Sequence, residues 1–199
     1  MTSDARYQGP DVRHFDEWSR TYEASWMQRL LFDRVHAAAL DLAATLPPPA
    51  DLLDVGCGTG RLLRAAARRW PSARLLGVDP AEGMVAAARR LTPAASIQRG
   101  LAEELPLPDA SVDLALSTMS FHHWGDQAGA LREIARVLRP GGHFILADVA
   151  PPSALARLRV SGRAQPLAER QRLFAAAGLR IERQRRAAWP MIVATLAAR

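Results

Sequence analysis

The spacing of apolar residues in the first quarter of the chain is helical. Up to Leu46, apolar side chains recur at steps of three and four, which is typical of a helix with one apolar stripe. Such an amphipathic helix must lie on another layer of structure. This segment is therefore predicted to be a helical cover. The stripe consists of Trp26, Leu30, Leu31, Val35, Ala38 and Leu42.

Between two proline-rich breaks, Pro47–Pro49 and Pro151–Pro152, short apolar runs alternate with helical patterns. The helices are predicted near residues 61–70, 81–91 and 126–138. Alternation of this kind predicts a parallel sheet that is covered on both faces. The predicted strands are Leu52–Val55, Arg74–Val78, Ser96–Gln98, Val112–Leu116 and His143–Ala147.

Past the second break the pattern changes to one helix and two strands. The helix is predicted over Pro166–Ala177 and ends at Gly178, and the strands over Leu179–Arg185 and Met191–Leu196. The turn near Ala188–Pro190 is short enough only for an antiparallel pair. A mostly parallel sheet should therefore finish with one reversed strand.

Length and composition suit a single domain over residues 1–199. The chain has 199 residues, of which 49% are hydrophobic, and this leaves no room for two well-cored domains. Residues 1–46 are expected to form the helical lid, 50–150 the ligand-binding core, and 151–199 the last helix and strand pair. No apolar run approaches the ~18 residues that span a bilayer, so no membrane span is predicted.

Cysteine usage and the N-terminal residues indicate a reduced compartment. Met1–Asp11 is polar and acidic, unlike a signal peptide. A single cysteine, Cys57, excludes an intramolecular disulfide and a multi-cysteine zinc site. The expected location is cytoplasmic, and no metal is expected.

Charge is distributed unevenly along the chain. All 26 basic residues are arginine, so lysine-dependent chemistry is excluded. Residues 151–199 contain 10 arginines but only two acidic residues, Glu169 and Glu182. Such a patch could attract nucleic acid, an anionic membrane or an acidic carrier, and the alternative is an ordinary solvated face.

A glycine-rich turn directly follows the first predicted strand. It runs from Asp54 to Gly60, and a helix begins at Arg61. Glycines at such a turn let a ligand approach the backbone closely. Arg61 stands where a dinucleotide-binding turn has its third glycine, and Asp54 would repel phosphate. The turn therefore favours a ligand with an amino group, the alternative being a tight turn without a ligand.

A second carboxylate follows the second predicted strand. Asp79 lies about 20 residues beyond the glycines, where an acid binds a ribose diol in this type of sheet. The alternative is that Asp79 caps the helix that starts at Pro80.

Four motifs follow one another along the chain: Asp54–Gly60, Gly77–Asp79 with Met84, Gly100–Leu107 and Leu131–Gly142. Together they resemble a class I S-adenosylmethionine-dependent methyltransferase of the type 11 branch, which includes quinone-biosynthesis methyltransferases. The resemblance covers about residues 14–197. It implies an α/β fold with a Rossmann-like, doubly wound, seven-stranded sheet whose last strand is antiparallel.

The resemblance implies S-adenosyl-L-methionine as cofactor and assigns residues to its parts. Gly56, Gly58 and Gly60, with Cys57 between them, would frame the methionine part, and Asp54 would assist the amino group. Asp79, followed by Pro80, would hold the ribose.

The resemblance also assigns the adenine end. Met84 would pack on adenine, and the Ala102 backbone would meet its edge. The family usually has an aspartate where this chain has Leu101, so either Glu103 or a backbone carbonyl is expected to replace it.

The segment after the fourth predicted strand, Ser117–Trp124, should face the reactive methyl, because ligands lie beyond the carboxyl ends of strands. Ser117 resembles the family position beside the methionine part. His122 and His123 match paired histidines that are frequent there. Each histidine could act as a general base or hold the loop structurally.

Aromatic residues follow one face of the N-terminal segment: His14, Phe15, Trp18, Tyr22 and Trp26. A comparable segment closes over the cofactor in the family, which makes Trp18 and Tyr22 candidate lid residues and Tyr22 a candidate to position the acceptor. The alternative is plain core.

Methyl transfer to a small molecule by direct displacement is the expected function. Nucleic acid is an unlikely substrate, because an Asn-Pro-Pro-Tyr motif and lysine are absent and Cys57 belongs to the turn. The short segment Pro151–Gln165 predicts either a bulky amphipathic acceptor or a pocket completed by a second subunit, as in a homodimer. The rival functions are a non-catalytic S-adenosylmethionine-binding protein and an NAD-dependent oxidoreductase.

Overall fold

The N-terminal cover consists of two helices. The computed structural model describes residues 7, 10–19, 26–152, 163–187 and 189–199. Helix α1 spans Pro10–Trp18 and helix α2 spans Trp26–Ala43. Val35 and Leu42 of the predicted stripe are buried against the sheet, which confirms α2 as a cover; the side chains of the stripe residues before Val35 lie outside the described part.

The sheet has seven strands in the order β3-β2-β1-β4-β5-β7-β6. Strands β1 to β5 run parallel, and β7 is antiparallel to both β5 and β6. The mostly parallel sheet with one reversed strand is thus confirmed. In chain order, the elements after α2 are β1 Asp51–Val55, α3 Arg61–Arg69, β2 Arg74–Asp79, α4 Glu82–Leu91, β3 Ala95–Arg99, β4 Val112–Thr118, α5 Gln127–Val137, β5 Leu138–Val149, α6 Leu167–Ala176, β6 Arg180–Ala187 and β7 Trp189–Ala198.

Two strands extend further than the apolar pattern predicts. Strand β5 begins at Leu138, which pairs with Val112 before the register shifts. The polar residues and glycines between Leu138 and His143 hide this extension in the sequence. Strand β7 begins at Trp189, which pairs with Ala187, so the connection is tighter than the predicted turn.

The core has two layers, one on each face of the sheet. One layer packs α2, α3 and α4 against the strands, and the other packs α5 and α6. The central strands are buried on both faces, and most of their residues are therefore apolar, with Asp54 of β1 as a buried exception. In the described part of the chain, no helix is long and apolar enough to cross a membrane.

The edge of the sheet where the parallel strands begin is closed by ion pairs. Arg139 binds Asp113 at 2.5 Å and Asp51 at 2.7 Å. Glu133 accepts the N–H of Leu105 and pairs with Arg136. The Leu131–Gly142 motif therefore stabilises the fold at the edge where the parallel strands begin. The cavity lies at the opposite edge, where these strands end.

Candidate active site

A cavity of about 440 Å³ opens at the carboxyl ends of β1, β2 and β4. Ligands of doubly wound sheets bind at this location, outside the carboxyl ends of the strands. Most of the predicted site residues meet in its wall, although they come from distant parts of the chain. They are Asp54, Gly56, Cys57, Gly58, Asp79, Pro80, Met84, Leu101, Ala102, Glu103 and His123.

The glycine turn is held against β2 by its backbone. The N–H of Gly56 donates to the carbonyl of Val78 at 2.8 Å. Gly56 has φ of 75°, and a Cβ there would lie 1.9 Å from Oγ of Ser120. Gly58 has φ of 51°, but a Cβ there would meet no atom within 4 Å. Packing therefore requires glycine at position 56, and backbone conformation favours it at position 58.

Gly60 does not line the cavity, in contrast to the prediction. It precedes α3 with φ of 81°, and a Cβ there would lie 2.5 Å from Oγ1 of Thr92. Gly60 thus starts the helix and lets α3 approach α4. The sequence pattern could not separate this role from ligand contact, because both require a glycine.

Asp79 both caps the turn and faces the cavity. Its Oδ2 accepts the N–H of Gly58 at 2.8 Å, and its Oδ1 accepts the N–H of Ala81 at 3.0 Å. Burial raises the pKa of Asp79 to about 6, against these two hydrogen bonds, and the charge of Asp16 adds to the rise. The helix-cap alternative is not met, because α4 begins at Glu82 with Ala81 as N-cap and has no side-chain cap hydrogen bond. Asp79 holds the turn instead, and its contact with a ribose stays a prediction.

Asp54 is the most unusual group in the wall. Burial, with the nearby charge of Asp79, raises the pKa of its carboxyl to about 8. Its Oδ1 is buried without a hydrogen-bond partner in the described chain. A buried carboxyl of this kind is costly unless a cation or a donor reaches it. The ammonium of S-adenosylmethionine supplies both, so the residues present fit that cofactor.

The wall at the predicted adenine end is mostly apolar. Met84 and Ala102 are buried there, and Leu101 lines the same part of the wall. Oε1 of Glu103 accepts the N–H groups of Gly125 and Asp126 at 2.8 and 3.0 Å. This oxygen therefore holds the loop after β4, and an adenine contact of Glu103 stays a prediction.

Cys57 lies in the wall as a thiol. Burial and the charges of Asp79 and Asp54 raise its pKa far above the ordinary value. Because the thiolate is the nucleophilic form, Cys57 is not an activated nucleophile.

The two predicted histidines have different surroundings. Both belong to the 3-10 turn Phe121–His123. His123 lines the cavity, and its ring meets that of Phe15 edge-on at 5.0 Å between centroids. His122 lies behind this wall, with its Nδ1 2.6 Å from Oδ1 of the fully buried Asp148. Asp148 follows the apolar run of β5, and nothing in the pattern singled it out.

Ser117 is buried within the sheet and does not line the cavity, which differs from the prediction. Strand β4 continues to Thr118, so the wall is formed by the residues that follow Ser117. Met119 is one of them, and its φ of 52° is rare for a residue other than glycine. Ser120 is another, and its Oγ accepts from Nε1 of Trp124 at 3.0 Å.

Helix α1 covers the cavity by side chains other than the predicted Trp18. Val12 and Phe15 line it, whereas Trp18 does not. The helix is fastened where the Gly83 N–H donates to Oδ1 of Asp16 at 2.8 Å. Tyr22 lies outside the described residues, and its role stays a prediction.

Helix α2 contributes a wall residue that the sequence analysis missed. His36 lines the cavity beside Phe32 and Arg61. Burial, with the charges of Arg61 and Arg64, lowers the pKa of His36 to about 4 against the attraction of Asp33. His36 is therefore neutral near pH 7. The repeat of aromatic rings at positions 32 and 36, one helical turn apart, was the available signal.

A doubly wound sheet with these acids around a glycine turn is the arrangement of Rossmann-like α/β domains that bind a nucleoside-containing cofactor. Residues 53–146 match the family model described as "Methyltransferase domain". The chain is 41% identical over 121 residues to a malonyl-acyl-carrier-protein O-methyltransferase of Methylococcus capsulatus, covering 59% of this chain and 44% of that protein. It is 36% identical over 118 residues to the demethylmenaquinone methyltransferase of Thermus thermophilus, covering 57% and 53%.

Solved structures share this fold. The YcgJ protein of Bacillus subtilis is 30% identical, with a TM-score of 0.65 and coverage of 76% of this chain and 71% of that one. A chain of the Haloferax volcanii complex between the Trm112 methyltransferase activator and a methyltransferase is 26% identical, with a TM-score of 0.76 and coverage of 92% and 96%.

Residues 53–146 are therefore a methyltransferase domain, and the relatives similar to this chain include a probable S-adenosylmethionine-dependent methyltransferase of Mycolicibacterium smegmatis, 42% identical over 99 residues, which cover 48% of this chain and 37% of that protein. The chain spans about half the length of the curated relatives it matches.

Proposed function

We propose that the protein transfers a methyl group from S-adenosylmethionine to a small-molecule acceptor by direct displacement. The observation that carries this proposal is the cavity. Its wall contains Asp54, whose buried Oδ1 has no hydrogen-bond partner among the described residues, together with the open glycine turn and His123. When bound, the cofactor supplies a methyl group on a sulfonium, which is intrinsically reactive. The protein's main task is then alignment.

Asp54 and Asp79 hold the cofactor end of the cavity. Asp54 attracts the ammonium group, and Asp79 offers the remaining lone pairs of its two oxygens to the ribose hydroxyls. Met84, Leu101 and Ala102 provide the apolar surface for adenine. Gly58 leaves the space that a side chain would fill.

His123 is the group placed at the acceptor end. Its imidazole lines the cavity, and it accepts the proton that the acceptor loses when its oxygen, nitrogen or carbon is methylated. Phe15 packs on the His123 ring and excludes water from this side. His122, tied to Asp148, acts through His123 rather than on the acceptor itself.

The acceptor is proposed to be bulky and amphipathic. The malonyl-acyl-carrier-protein and demethylmenaquinone methyltransferases are relatives whose names give acceptors of that kind.

A homodimer that completes the pocket is the second arrangement we propose, and light scattering of the purified chain at several concentrations distinguishes it from a monomer. A cytoplasmic location is likewise a proposal, supported by the single cysteine.

The test is transfer of a labelled methyl group. The purified protein is incubated with methyl-labelled S-adenosylmethionine and a malonyl thioester, a demethylated quinol or a cell extract, and products are identified by mass. Calorimetry with S-adenosylhomocysteine and with NAD is done in parallel. Binding of S-adenosylhomocysteine and label in a small molecule are expected. Tight binding without transfer in any mixture contradicts the enzymatic proposal.

The His123→Gln variant tests the acceptor end separately. Removal of a general base lowers kcat by about 100-fold or more, whereas S-adenosylhomocysteine affinity should change little. His143→Gln, on β5 away from the cavity wall, is the matched control and should keep full activity. Equal rates for both variants would show that His123 does not take the proton.

A further inference from the structure

An exposed apolar patch lies where strand β7 begins. Trp189 is 62% exposed and Met191 is 41% exposed. Of the large apolar side chains that the structure describes, only one other, Leu91 on α4, is exposed to a similar degree. Trp189 and Met191 are two positions apart on one strand, so their side chains lie on the same face of the sheet. Apolar side chains that are exposed together mark a surface that contacts another molecule.

This patch stands at the same edge of the sheet as the cavity. Thr118, at the end of β4, lines the cavity, and β5 runs beside β4 in the same direction. Val149, at the end of β5, pairs with Ile192 of β7. The N–H of Ala150 donates to the carbonyl of Met191 at 2.6 Å. A surface that binds the patch therefore meets the molecule on the side where the cavity lies.

Strand β6, the outermost strand on this side of the sheet, places arginines next to the patch. Arg183, Arg185 and Arg186 are all exposed. Arg185 donates to the carbonyl of Ala38 in α2. Arg183 and Arg186 have no hydrogen bond or ion pair with the residues that the structure describes. Their charges are thus available to a partner outside the chain. We use the name hairpin tip for Arg186, Trp189 and Met191.

The acidic residues of this part of the chain do not cancel these charges. Residues 151–199 contain two acids, Glu169 and Glu182. Glu169 pairs with Arg172 at 3.2 Å, and Glu182 pairs with Arg180 at 2.7 Å. Each acid thus has an arginine of its own, and the positive charge beside the hairpin tip can attract an anionic surface.

Protection of an edge strand explains the arginines but not the apolar side chains beside them. Charged residues on an edge strand prevent it from pairing with the edge of another chain. An exposed tryptophan and methionine have the opposite effect, because they offer apolar area that another molecule can cover. A second copy of the chain is a poor occupant, since the arginines of two β6 strands would repel each other.

Arginine and tryptophan at one tip fit an anionic membrane surface. Tryptophan is enriched at the level of the lipid headgroups, and arginines near the surface are attracted to anionic lipids. The pairing of Ala187 with Trp189 makes the connection a tight turn, and neither Trp189 nor Met191 lines the cavity. A turn of this kind can enter a headgroup layer, whereas peptides and single nucleic-acid strands are held in grooves.

We propose that the hairpin tip docks the protein onto an anionic membrane surface, with Trp189 and Met191 among the headgroups and Arg183 and Arg186 against lipid phosphates. Two apolar side chains and a few charges give weak, reversible binding that salt reduces. Docking goes beyond the proposed function. Its use, which is to bring the cavity edge to an amphipathic acceptor in the membrane, rests on that function.

The first test is sedimentation of the full chain with sucrose-loaded vesicles. Vesicles of phosphatidylcholine alone are compared with vesicles of equal parts phosphatidylcholine and phosphatidylglycerol, without cofactor or acceptor. At low salt the anionic vesicles should bind the protein about tenfold more strongly or better, and added salt should release it. Equal binding to both kinds of vesicle, or no binding to the anionic ones, overturns the proposal.

Substitutions at the hairpin tip assign the contact. Trp189→Ala should lower the affinity for anionic vesicles by about tenfold, and Arg186→Gln should lower it by about fivefold. The matched controls are Leu91→Ala, at the exposed apolar site of α4, and Arg68→Gln, at an exposed site in the last turn of α3. Both controls should bind like the wild type. Losses of the same size in the controls contradict docking through the hairpin tip.

Brominated lipid identifies the inserted side chain directly, because bromine quenches tryptophan fluorescence at short range. The chain has five tryptophans. In anionic vesicles brominated near the headgroup end of the acyl chains, wild-type fluorescence should be quenched. Trp189→Phe keeps an aromatic ring, so it should still bind but lose most of the quenching. Quenching that persists in Trp189→Phe shows that a different surface faces the membrane, and this result overturns the proposal.

The same variants distinguish other anionic partners. Labelled single-stranded DNA and polyglutamate stand for nucleic acid and for an acidic protein. Binding of either that depends on Trp189 and Arg186, under conditions in which anionic vesicles bind nothing, overturns the proposal in favour of that partner. If Trp189→Ala does not fold, Trp189→Phe and Arg186→Gln still decide. These measurements need no turnover, so failure of methyl transfer in the labelling assay is distinguishable from failure of docking.

Discussion

At the residue scale, three glycines of one turn have three different physical roles. A side chain at Gly56 would collide with Ser120, and one at Gly60 would collide with Thr92. Gly58 faces open space and has a left-handed backbone conformation. A methyl group added at Gly58 would therefore contact a bound ligand and no other part of the described protein. Gly178, after α6, offers the same test away from the cavity, since it has φ of 76° and no atom within 4 Å of a Cβ.

Gly58→Ala and Gly178→Ala should destabilise the fold similarly but differ in ligand binding. Each substitution places a Cβ in the left-handed region, at a cost of about 1 kcal/mol in the free energy of unfolding. Only Gly58→Ala puts a methyl group into the cavity wall, so its affinity for S-adenosylhomocysteine should fall by about tenfold or more. Urea unfolding and calorimetry measure the two effects. Unchanged affinity in Gly58→Ala would mean that the ligand does not approach this turn.

At the scale of elements, α1 is a cover that contacts both α4 and the segment after β4. The Asp16 carboxylate accepts the Gly83 N–H at the start of α4, and Phe15 rests on His123. The resemblance to the family implied a lid in this segment, while the spacing of the aromatic residues alone also allowed plain core. The spacing did not show which aromatic ring faces the cavity, because several rings share that face of the helix and their partners are distant in sequence.

Phe15→Ala should loosen this cover. Loss of the ring removes apolar contact from both His123 and the cavity, and S-adenosylhomocysteine affinity should fall by about tenfold, which corresponds to about 1.4 kcal/mol. Glu17→Ala, at an exposed position of the same helix, should bind like the wild type. The measurement is calorimetry at constant pH. A loss of affinity in Glu17→Ala of the same size would mean that α1 acts through its stability and not through Phe15.

At the scale of the whole molecule, the cavity acids connect ligand binding to the stability of the fold. Burial raises the pKa of Asp54 from 3.8 to about 8 and that of Asp79 from 3.8 to about 6. The ligand-free folded protein therefore holds protons that the unfolded chain has already lost within this range. Its free energy of unfolding should decrease as the pH rises from about 4 to 8.

The Asp54→Asn variant isolates the larger contribution. Between pH 5 and pH 9 the wild type should lose stability, and the variant should lose less, because its amide does not ionise. Saturating S-adenosylmethionine should raise the free energy of unfolding of the wild type again, because it binds only the folded state. Urea unfolding at several pH values measures both effects, with Asp41→Asn at an exposed site as the control. A variant whose stability falls as steeply as the wild type's would refute the raised pKa of Asp54.

The ligand turn, the two acids and the alternation of strands and helices follow from local sequence. Each depends on contacts between residues close in the chain or on the simple periodicity of buried faces, and the strand order with its reversed β7 is consistent with that reading. The predicted division of residues 1–199 into lid, core and C-terminal segment stays a prediction.

The sequence by itself determined the class of fold, the glycine turn and the carboxylates at its two sides, because short-range periodicity and turn chemistry encode them. Only the tertiary structure decided that Phe15, His36 and Ser120 share a wall with His123, that Gly60 and Ser117 do not, and that Asp148 stands behind His122. These contacts join residues that lie far apart in the chain, such as Phe15 and His123, and they depend on how the strands pair and the helices pack. No local pattern in the chain records that information.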